Sequence, residues 1–153
     1  MWHKVLLCTV IPFILIGVWG THVQAASIPP NDGYVTDQRG VVSEEQEEEL
    51  EQLLHSVERR GGVRIVVAFL EGGDVSLEQL AKQVVSRWKL LIEEGGDILF
   101  LGSYKDGTAI ILTGQQFGDR LSQKNQTGIL EYDVLPHFRE GAYGDGIVSG
   151  VQS

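Results

Sequence analysis

The chain has 153 residues, which fits one domain, and its 42% hydrophobic and 22% charged residues are ordinary values for a globular protein. These values argue against disorder throughout the chain. The formal net charge is −9. An acidic protein of this kind repels phosphate backbones, so nucleic acid is not expected as a partner.

The first 25 residues have the features of a secretory signal peptide. The apolar run Val5–Trp19 has 15 residues, fewer than the ~20 that a membrane-spanning helix needs. Val23 and Ala25 stand at the −3 and −1 positions of a signal peptidase site, so we expect cleavage after Ala25. Cleavage would leave a net charge of −10 and remove Cys8, the one cysteine of the chain. The alternative is an uncleaved N-terminal membrane anchor.

The first half of the expected mature chain begins with an irregular lead-in over residues 26–33, which are rich in proline and turn-forming residues. A helix is predicted from about Glu44 to Arg60, because Ser43 and Gln46 have the spacing of a capping box and leucines recur at helical intervals. A double glycine ends this helix. The nearly continuous apolar run over residues 63–70 predicts a strand covered on both faces.

A second helix is predicted after Ser76, ending near Gly95. Strands are predicted at Asp97–Ser103 and Thr108–Thr113, and the tight turn Lys105–Gly107 joins them as a hairpin. The chain then alternates between turn signals and apolar positions at helical spacing, which predicts two more helices.

The third helix follows a loop at residues 114–121, is capped by Ser122 or Asn125, and stops near Pro136. The last helix begins around Tyr143. Apolar residues at helical spacing continue to the final residues of the sequence, so a truncation of this last helix stays open.

These elements predict the fold class. A helix between the first two strands allows a parallel crossover, and the hairpin adds an antiparallel strand. We therefore expect an α/β fold with a single domain over residues 34–153, a mixed β-sheet of about three to four strands, and helices on both faces. The predicted core draws on both layers and includes Leu53, Leu54, Leu80, Val84, Leu99, Leu101 and Ile111. The strand over residues 63–70 adds either Ile65, Val67 and Phe69 or the residues that alternate with them.

No strong catalytic or cofactor motif is found. The glycine-rich stretch at residues 141–146 follows a helix, whereas a dinucleotide fingerprint follows a strand. His55 and His137 lie on different predicted helices, which favours surface or helix-end positions over a metal site. We therefore predict neither catalytic residues nor an organic cofactor.

Four aspartates lie in predicted loops or at predicted strand ends: Asp37, Asp74, Asp97 and Asp119. Ligands gather at strand ends in α/β sheets, and oxygen ligands from loops suit Ca²⁺ or Mg²⁺. The competing interpretation is structural, because aspartate is common in turns, where it accepts hydrogen bonds from the nearby backbone.

A series of segments, in order along the chain, resembles the TPM domain. Val35-Thr-Asp-Gln-Arg-Gly-Val-Val-Ser43 and the acidic helix after it resemble the opening of that domain. Gly96-Asp-Ile-Leu-Phe-Leu101 and the segment from Ile129 to Tyr143 resemble later parts, so that the resemblance covers about residues 34–151. The family takes its name from a thylakoid lumen phosphatase, a photosystem II repair protein and a modulator of a nematode acetylcholine receptor.

The resemblance implies an extracytoplasmic domain, often held on a membrane by a separate helix. It also implies divalent-metal binding in some members and acid phosphatase activity in a few. This chain departs from the family pattern after the hairpin, where it lacks several acidic residues. Asp37 is retained, whereas Asp97 and Asp119 are displaced neighbours of family positions. These three are the candidate ligands of a weak Ca²⁺ or Mg²⁺ site.

Three hypotheses about function follow. The leading one is an exported, membrane-associated, non-catalytic binding or accessory module of the cell envelope, with a membrane protein or envelope complex as its partner. The alternatives are a metal-dependent phosphomonoesterase of the acid phosphatase type and a weak calcium-binding module. The acidic net charge disfavours a phosphate-bearing substrate, and the sequence gives no oligomeric state.

Overall fold

Our computed structural model describes residues 27–153, in which helices cover both faces of one four-stranded sheet. The strands lie in the order β1 (Val35–Asp37), β2 (Arg64–Leu70), β3 (Asp97–Ser103) and β4 (Thr108–Leu112). The first three strands are parallel and β4 is antiparallel to β3. The predicted α/β class, mixed sheet and two helical layers are confirmed. The expected signal peptide lies outside the described residues.

The strand β1 is an element that the sequence pattern does not predict. It has only three residues, too few to show an alternation, and pairing with β2 defines it, with Val35 opposite Val67. The Glu51 side chain accepts hydrogen bonds from the backbone nitrogens of Tyr34 and Val35, each at 2.8 Å. Long-range contacts therefore hold this strand in the sheet.

The first two helices begin where the sequence predicts. α1 (Glu44–Gly61) has the predicted capping box, in which Ser43 and Gln46 exchange side-chain-to-backbone hydrogen bonds. α2 (Leu77–Trp88) begins after the predicted Ser76 cap. The predicted end of α2 near Gly95 is wrong, because the chain turns at Lys89, which has a left-handed backbone with φ 54°.

The C-terminal third consists of α3 (Gln123–Gly128), a wide π-helical turn (Ile129–Val134), α4 (Leu135–Arg139) and α5 (Tyr143–Gln152). Pro136 does not stop the helical run as predicted. Proline lacks an N–H and crowds the preceding turn, and the wide turn just before it accommodates both effects. Within residues 27–153 no helix combines the length and apolar character needed to cross a membrane.

The core has two halves, one on each face of the sheet. Val67 and Phe69 of β2 face α1, α4 and α5, whereas Val66 and Ala68 face α2. Most of the predicted core positions are buried, but Leu53 and Ile65 are only partly buried. The leucines that α1 buries are Leu50 and Leu54.

The two parallel crossovers have opposite hands. Both lead from one strand to its neighbour in the same direction, from β1 to β2 and from β2 to β3. Their connecting helices, however, lie on opposite faces of the sheet. One of the two crossovers is therefore left-handed, an exception to a strong preference for right-handed connections.

Candidate functional site

The candidate site is formed by three segments that follow the carboxyl ends of β1, β2 and β3, at residues 38–43, 71–76 and 104–107. We call them the carboxyl-end loops. Because the three strands are parallel, these loops emerge at the same end of the sheet. Ligands of open α/β sheets bind in the crevice at this end.

Asp37 organises the first of the carboxyl-end loops. Its Oδ1 atom accepts hydrogen bonds from the backbone nitrogens of Arg39 at 2.9 Å and Gly40 at 3.0 Å. Its Oδ2 atom accepts one from the nitrogen of Val42 at 2.8 Å. Gly40 has φ 64°, a left-handed conformation that glycine adopts at little cost. Asp37 therefore shapes the path of the chain into α1, as the structural interpretation of turn aspartates expects.

Arg39 joins the first loop to the other two. Its guanidinium nitrogen lies 2.8 Å from a carboxylate oxygen of Glu71, and its central carbon lies 4.3 Å from the centre of the Tyr104 ring. The negative charge of Glu71 raises the pKa of Arg39 above its usual value. The arginine therefore stays charged while it bridges the loops after all three parallel strands.

A second ion pair connects the later two loops. The Lys105 ammonium lies 2.8 Å from an Asp74 carboxylate oxygen and also donates to the Gly73 carbonyl oxygen at 3.1 Å. The hydrogen bond with Asp74 raises the pKa of Lys105, and the same bond lowers the pKa of Asp74. Both groups are thus held in their charged forms by each other.

A cluster of aromatic rings forms the floor beneath Arg39. The Tyr104 ring packs 5.2 Å from that of Tyr143, and the Phe69 ring lies 5.2 Å from Tyr143 and 5.6 Å from Phe138, centre to centre. These separations are typical of favourable aromatic pairs. The rings connect the carboxyl-end loops to the core of the domain.

Asp97, the second predicted metal ligand, lies at the opposite end of the sheet. Its carboxylate accepts two hydrogen bonds from Arg64, at 2.8 and 2.9 Å, and one from the Leu91 nitrogen at 2.6 Å. Burial alone would raise the pKa of Asp97, but the hydrogen bonds from Arg64 and Leu91 and the charge of Arg64 outweigh it, so the pKa lies below the usual value. Asp97 is therefore buried, and its carboxylate forms an ion pair with Arg64.

The three predicted metal ligands do not come together. Strand register places Asp37 opposite Phe69 and Asp97 opposite Arg64, so the two aspartates are separated by roughly 15–20 Å. Asp119 is exposed in the loop before α3. No cluster of three or more acidic, histidine or cysteine side chains suited to a metal ion occurs in residues 27–153. The structure therefore does not bring these three residues into one site, and cation binding by any one of them stays a prediction.

A group of carboxylates, which we call the acidic shoulder, lies beside the first carboxyl-end loop and centres on Glu47 of α1. The pKa of Glu47 is raised there, first by desolvation and then by the negative charges of Glu51, Asp32, Asp37 and Glu44. The acidic shoulder comprises these five residues, and the charges of the other four disfavour the ionised form of Glu47. Its members come from the lead-in, the end of β1 and α1.

Sequence reasoning missed the basic residues of both ends of the sheet. Arg64 is the partner of Asp97 although 33 positions separate them, and Arg39 is the partner of Glu71 across 32 positions. No spacing rule connects residues so far apart. The available signal was topological: residues that directly follow parallel strands share one end of the sheet.

Comparison with known proteins places this arrangement in a family. The profile of the TPM domain matches residues 35–153, which include all strands and helices described above. No curated protein sequence matches the chain significantly.

Three solved structures share the fold. The solution NMR structure of the N-terminal domain of a protein from P. gingivalis has a TM-score of 0.72 at 26% identity, covering 78% of this chain and 77% of that one. The N-terminal domain of the cg2496 protein from Corynebacterium glutamicum has a TM-score of 0.60 at 16% identity, covering 86% and 84%. The BA42 protein from the psychrophilic bacterium Bizionia argentinensis has a TM-score of 0.59 at 17% identity, covering 72% and 77%.

Proposed function

Because this chain belongs to the TPM domain family, as the match over residues 35–153 shows, we propose that it is a non-catalytic binding module of the cell envelope. The proposed partner is a membrane protein or an envelope complex. In this role the domain offers a rigid surface to another protein and performs no chemistry on it.

The observation that carries this proposal is the pairing of charges in the carboxyl-end loops. Arg39 is paired with Glu71, Lys105 with Asp74, and Asp37 accepts three backbone N–H groups. A hydrolytic site needs groups free to polarise a substrate or to move a proton. In this domain the charged groups bind one another or the backbone and so hold the loops in place. A binding surface of fixed shape requires loops that are held in this way.

The proposed location rests on the amino-terminal sequence. Residues 1–25 have the apolar run and the small residues at the −3 and −1 positions of an export signal. N-terminal sequencing of the protein isolated from its host tests this part. A chain that starts at Ala26 supports export with cleavage, and a chain that retains Met1 in a membrane fraction supports an uncleaved anchor instead.

Affinity capture from envelope membranes tests the binding role. The purified protein is immobilised, and captured proteins are compared with those held by an unrelated domain of similar negative charge. We expect at least one membrane protein to be enriched, and its purified form to bind the domain in solution. Failure of every enriched protein to bind directly would contradict the proposal.

The alternative is a weak Ca²⁺ or Mg²⁺ site at Asp37, where one or two carboxylates would bind the ion in place of a full ligand cluster. Desolvation and, after it, negative charges raise the pKa of Glu47 near this residue, and these charges favour a cation there. A cation there would relieve the repulsion between carboxylates. Since calcium prefers six to eight oxygen ligands, we expect a Kd no tighter than ~10⁻⁴–10⁻³ M. Calorimetry tests this, with Glu131→Gln, which removes an exposed carboxylate outside the candidate ligands, as the control for Asp37→Asn.

The same protein preparations test the phosphatase hypothesis. We expect no release of phosphate from p-nitrophenyl phosphate above background, with or without Ca²⁺ or Mg²⁺. Micromolar calcium affinity that Asp37→Asn abolishes would favour a metal-dependent role. Metal-dependent phosphate release lost in the same variant would favour an enzyme.

A further inference from the structure

A polar pocket of about 360 Å³ lies at the amino end of the sheet, and we call it the amino-end pocket. The residues that line it are Asn31, Gly33, Tyr34, Glu58 and Arg64. Tyr34 directly precedes β1 and Arg64 begins β2, so the parallel pairing of these strands places both residues at the same end of the sheet. The volume lies within the range of ~300–1,000 Å³ that is usual for ligand pockets.

Arg64 forms one fixed wall of this pocket. Its Nε and Nη2 atoms donate hydrogen bonds to the carboxylate of Asp97 at 2.8 and 2.9 Å, which fixes the plane of the guanidinium. Its remaining nitrogen, Nη1, has no hydrogen-bond acceptor among residues 27–153. Because Asp97 neutralises the guanidinium, Arg64 offers the pocket a hydrogen-bond donor without an excess of positive charge.

Glu58 of α1 supplies the charged group of the pocket. The Tyr34 hydroxyl donates a hydrogen bond to its Oε2 atom, whereas Oε1 has no donor among the described residues. Glu58 and Arg64 line the same pocket without forming an ion pair, and no other basic side chain of residues 27–153 pairs with Glu58. Glu58 therefore presents a half-buried carboxylate whose charge is not compensated within this part of the chain.

The charges around the pocket are negative in balance. The pKa of Tyr34 is raised, first by its hydrogen bond with Glu58 and then by desolvation and the negative charges of Glu58 and Glu51. The positive charge of Arg64 opposes this rise and has the smallest effect of these causes. The two arginines in the last turn of α1 are exposed and do not line the pocket. A cation is therefore the ligand whose charge complements this pocket.

The hydrogen-bonding groups distinguish between cations. A guanidinium binds a carboxylate best through two parallel hydrogen bonds, which require both carboxylate oxygens. In Glu58 one of the two oxygens already accepts from Tyr34. An ammonium group is a compact charge that needs only the other oxygen, and Nη1 of Arg64 is available to a carbonyl oxygen next to it. These features fit a lysine residue of a protein.

We propose that the amino-end pocket binds a lysine of the partner protein, whose ammonium group pairs with Glu58 while a backbone carbonyl oxygen accepts a hydrogen bond from Arg64. Both walls are held in place before binding, Arg64 by Asp97 and Glu58 by Tyr34, so little order has to be gained on association. This inference rests on the proposed binding function and identifies the group by which the partner is recognised.

The first test compares two small probes, Nα-acetyl-lysine methylamide and the same compound with a second acetyl group on Nε. The second acetyl group removes the positive charge and leaves the stem of the side chain unchanged. Amide NMR titration of the purified protein at low ionic strength measures both. The charged probe should shift the signals around Tyr34, Glu58 and Arg64 in a saturable manner, and the neutral probe should have a Kd at least about tenfold higher.

Two matched variants of α1 locate the binding site. Glu58→Gln removes the charge but keeps an acceptor oxygen for the Tyr34 hydroxyl, and it should raise the Kd of the charged probe at least about fivefold. Glu49→Gln removes the same charge at an exposed position outside the pocket, so the Kd should stay within about twofold. Because both variants change the net charge equally, their comparison separates local binding from attraction by the whole acidic protein. Circular dichroism melting checks that both retain the fold.

Several results would overturn the proposal. These are equal binding of the two probes, equal effects of the two variants, signal shifts confined to another face, or tighter binding of Nα-acetyl-arginine methylamide than of the lysine probe. If a partner from envelope membranes binds Glu58→Gln as tightly as the wild type, the pocket inference fails while the proposed binding function stands. If the lysine probe binds as expected but no partner does, the proposed function fails, while the ammonium site is supported.

Discussion

The ion pairs at the two ends of the β-sheet differ in how far their side chains are exposed to water. At the amino end, Arg64 donates two hydrogen bonds to the carboxylate of Asp97, and the Asp97 side chain is only 4% exposed. At the carboxyl end, the side chains of the Arg39–Glu71 and Lys105–Asp74 pairs are 40–64% exposed. The shortest nitrogen-to-oxygen distance is 2.8 Å in all three pairs, so the pairs differ in solvent exposure and not in this distance.

This difference separates two roles for the same residue types. A buried carboxylate that loses its partner is left with an uncompensated desolvation cost, so the pair at the amino end stabilises the fold. Exposed pairs contribute little to folding free energy, because water and salt screen them. Those at the carboxyl end position loops, which is a requirement for recognition.

The largest effect is expected from Asp97→Asn. The substitution removes the charge that Arg64 binds and should reduce the free energy of unfolding by about 2–3 kcal/mol at neutral pH. Asp119→Asn, at an exposed loop position, should have almost no effect. Chemical denaturation of the three proteins measures this. Equal stability of both variants would contradict a stabilising role for the buried pair.

The same variant has a defined pH dependence. Because the folded-state pKa of Asp97 is lowered, its contribution is complete at pH values above the unfolded pKa and is lost as the pH falls through the folded pKa. The stability difference between wild type and Asp97→Asn should therefore shrink in acid. A stability difference that grows as the pH falls would contradict a lowered pKa of Asp97 in the folded protein.

A smaller loss is expected from Asp37→Ala. The substitution leaves the backbone nitrogens of Arg39, Gly40 and Val42 without their acceptor. Since the loop is partly open to water, which can replace some of these bonds, we expect a loss of about 1–2 kcal/mol. Thermal melting measures the loss. Hydrogen exchange should accelerate at these amides and stay unchanged around Asp97, and faster exchange at both ends would show that the two ends are coupled.

A slight gain in stability is expected from Glu47→Gln. The raised pKa of Glu47 means that its ionisation disfavours the folded state, so that removing the charge helps at neutral pH. The gain should disappear as the pH falls below the pKa of the unfolded-state glutamate. Melting curves at several pH values test this, and Glu49→Gln is the control, because Glu49 is equally exposed on the same helix but lies outside the acidic shoulder.

The smallest effect is expected from Glu71→Ala. It removes the partner of Arg39 at an exposed site, so the melting temperature should match that of the wild type in high salt. The effect should instead appear as greater side-chain motion of Arg39 in NMR relaxation. A large loss of stability in high salt would show that the two ends of the sheet are less different than their exposure indicates.

The predictable part of the fold was local. Ser43 and Gln46 lie within one helical turn of each other, so their capping box is visible in the sequence and present in the structure. The turn before β4 was equally predictable, because Gly107 supplies the positive φ, 59°, that the turn requires. Neither feature depends on distant residues.

The candidate site was less predictable, since its geometry depends on which loops meet. Asp37 was identified as a site residue, but its three bonds to nearby N–H groups make it the organiser of one loop. Asp97 was grouped with it on the assumption that strand ends share one side. The sheet places one aspartate at the end of a strand and the other at the start.

The sequence by itself determined the α/β class, the starts of α1 and α2, and the β3–β4 hairpin, because caps, periodicity and turn chemistry act within a few residues. Only the tertiary structure decided the pairing of β1, the opposite hands of the two crossovers, the passage of the helical run through Pro136, and the burial of Asp97 against Arg64. Each of these depends on contacts between segments far apart in the chain. Such contacts form only when the whole sheet is assembled, so no local pattern encodes them.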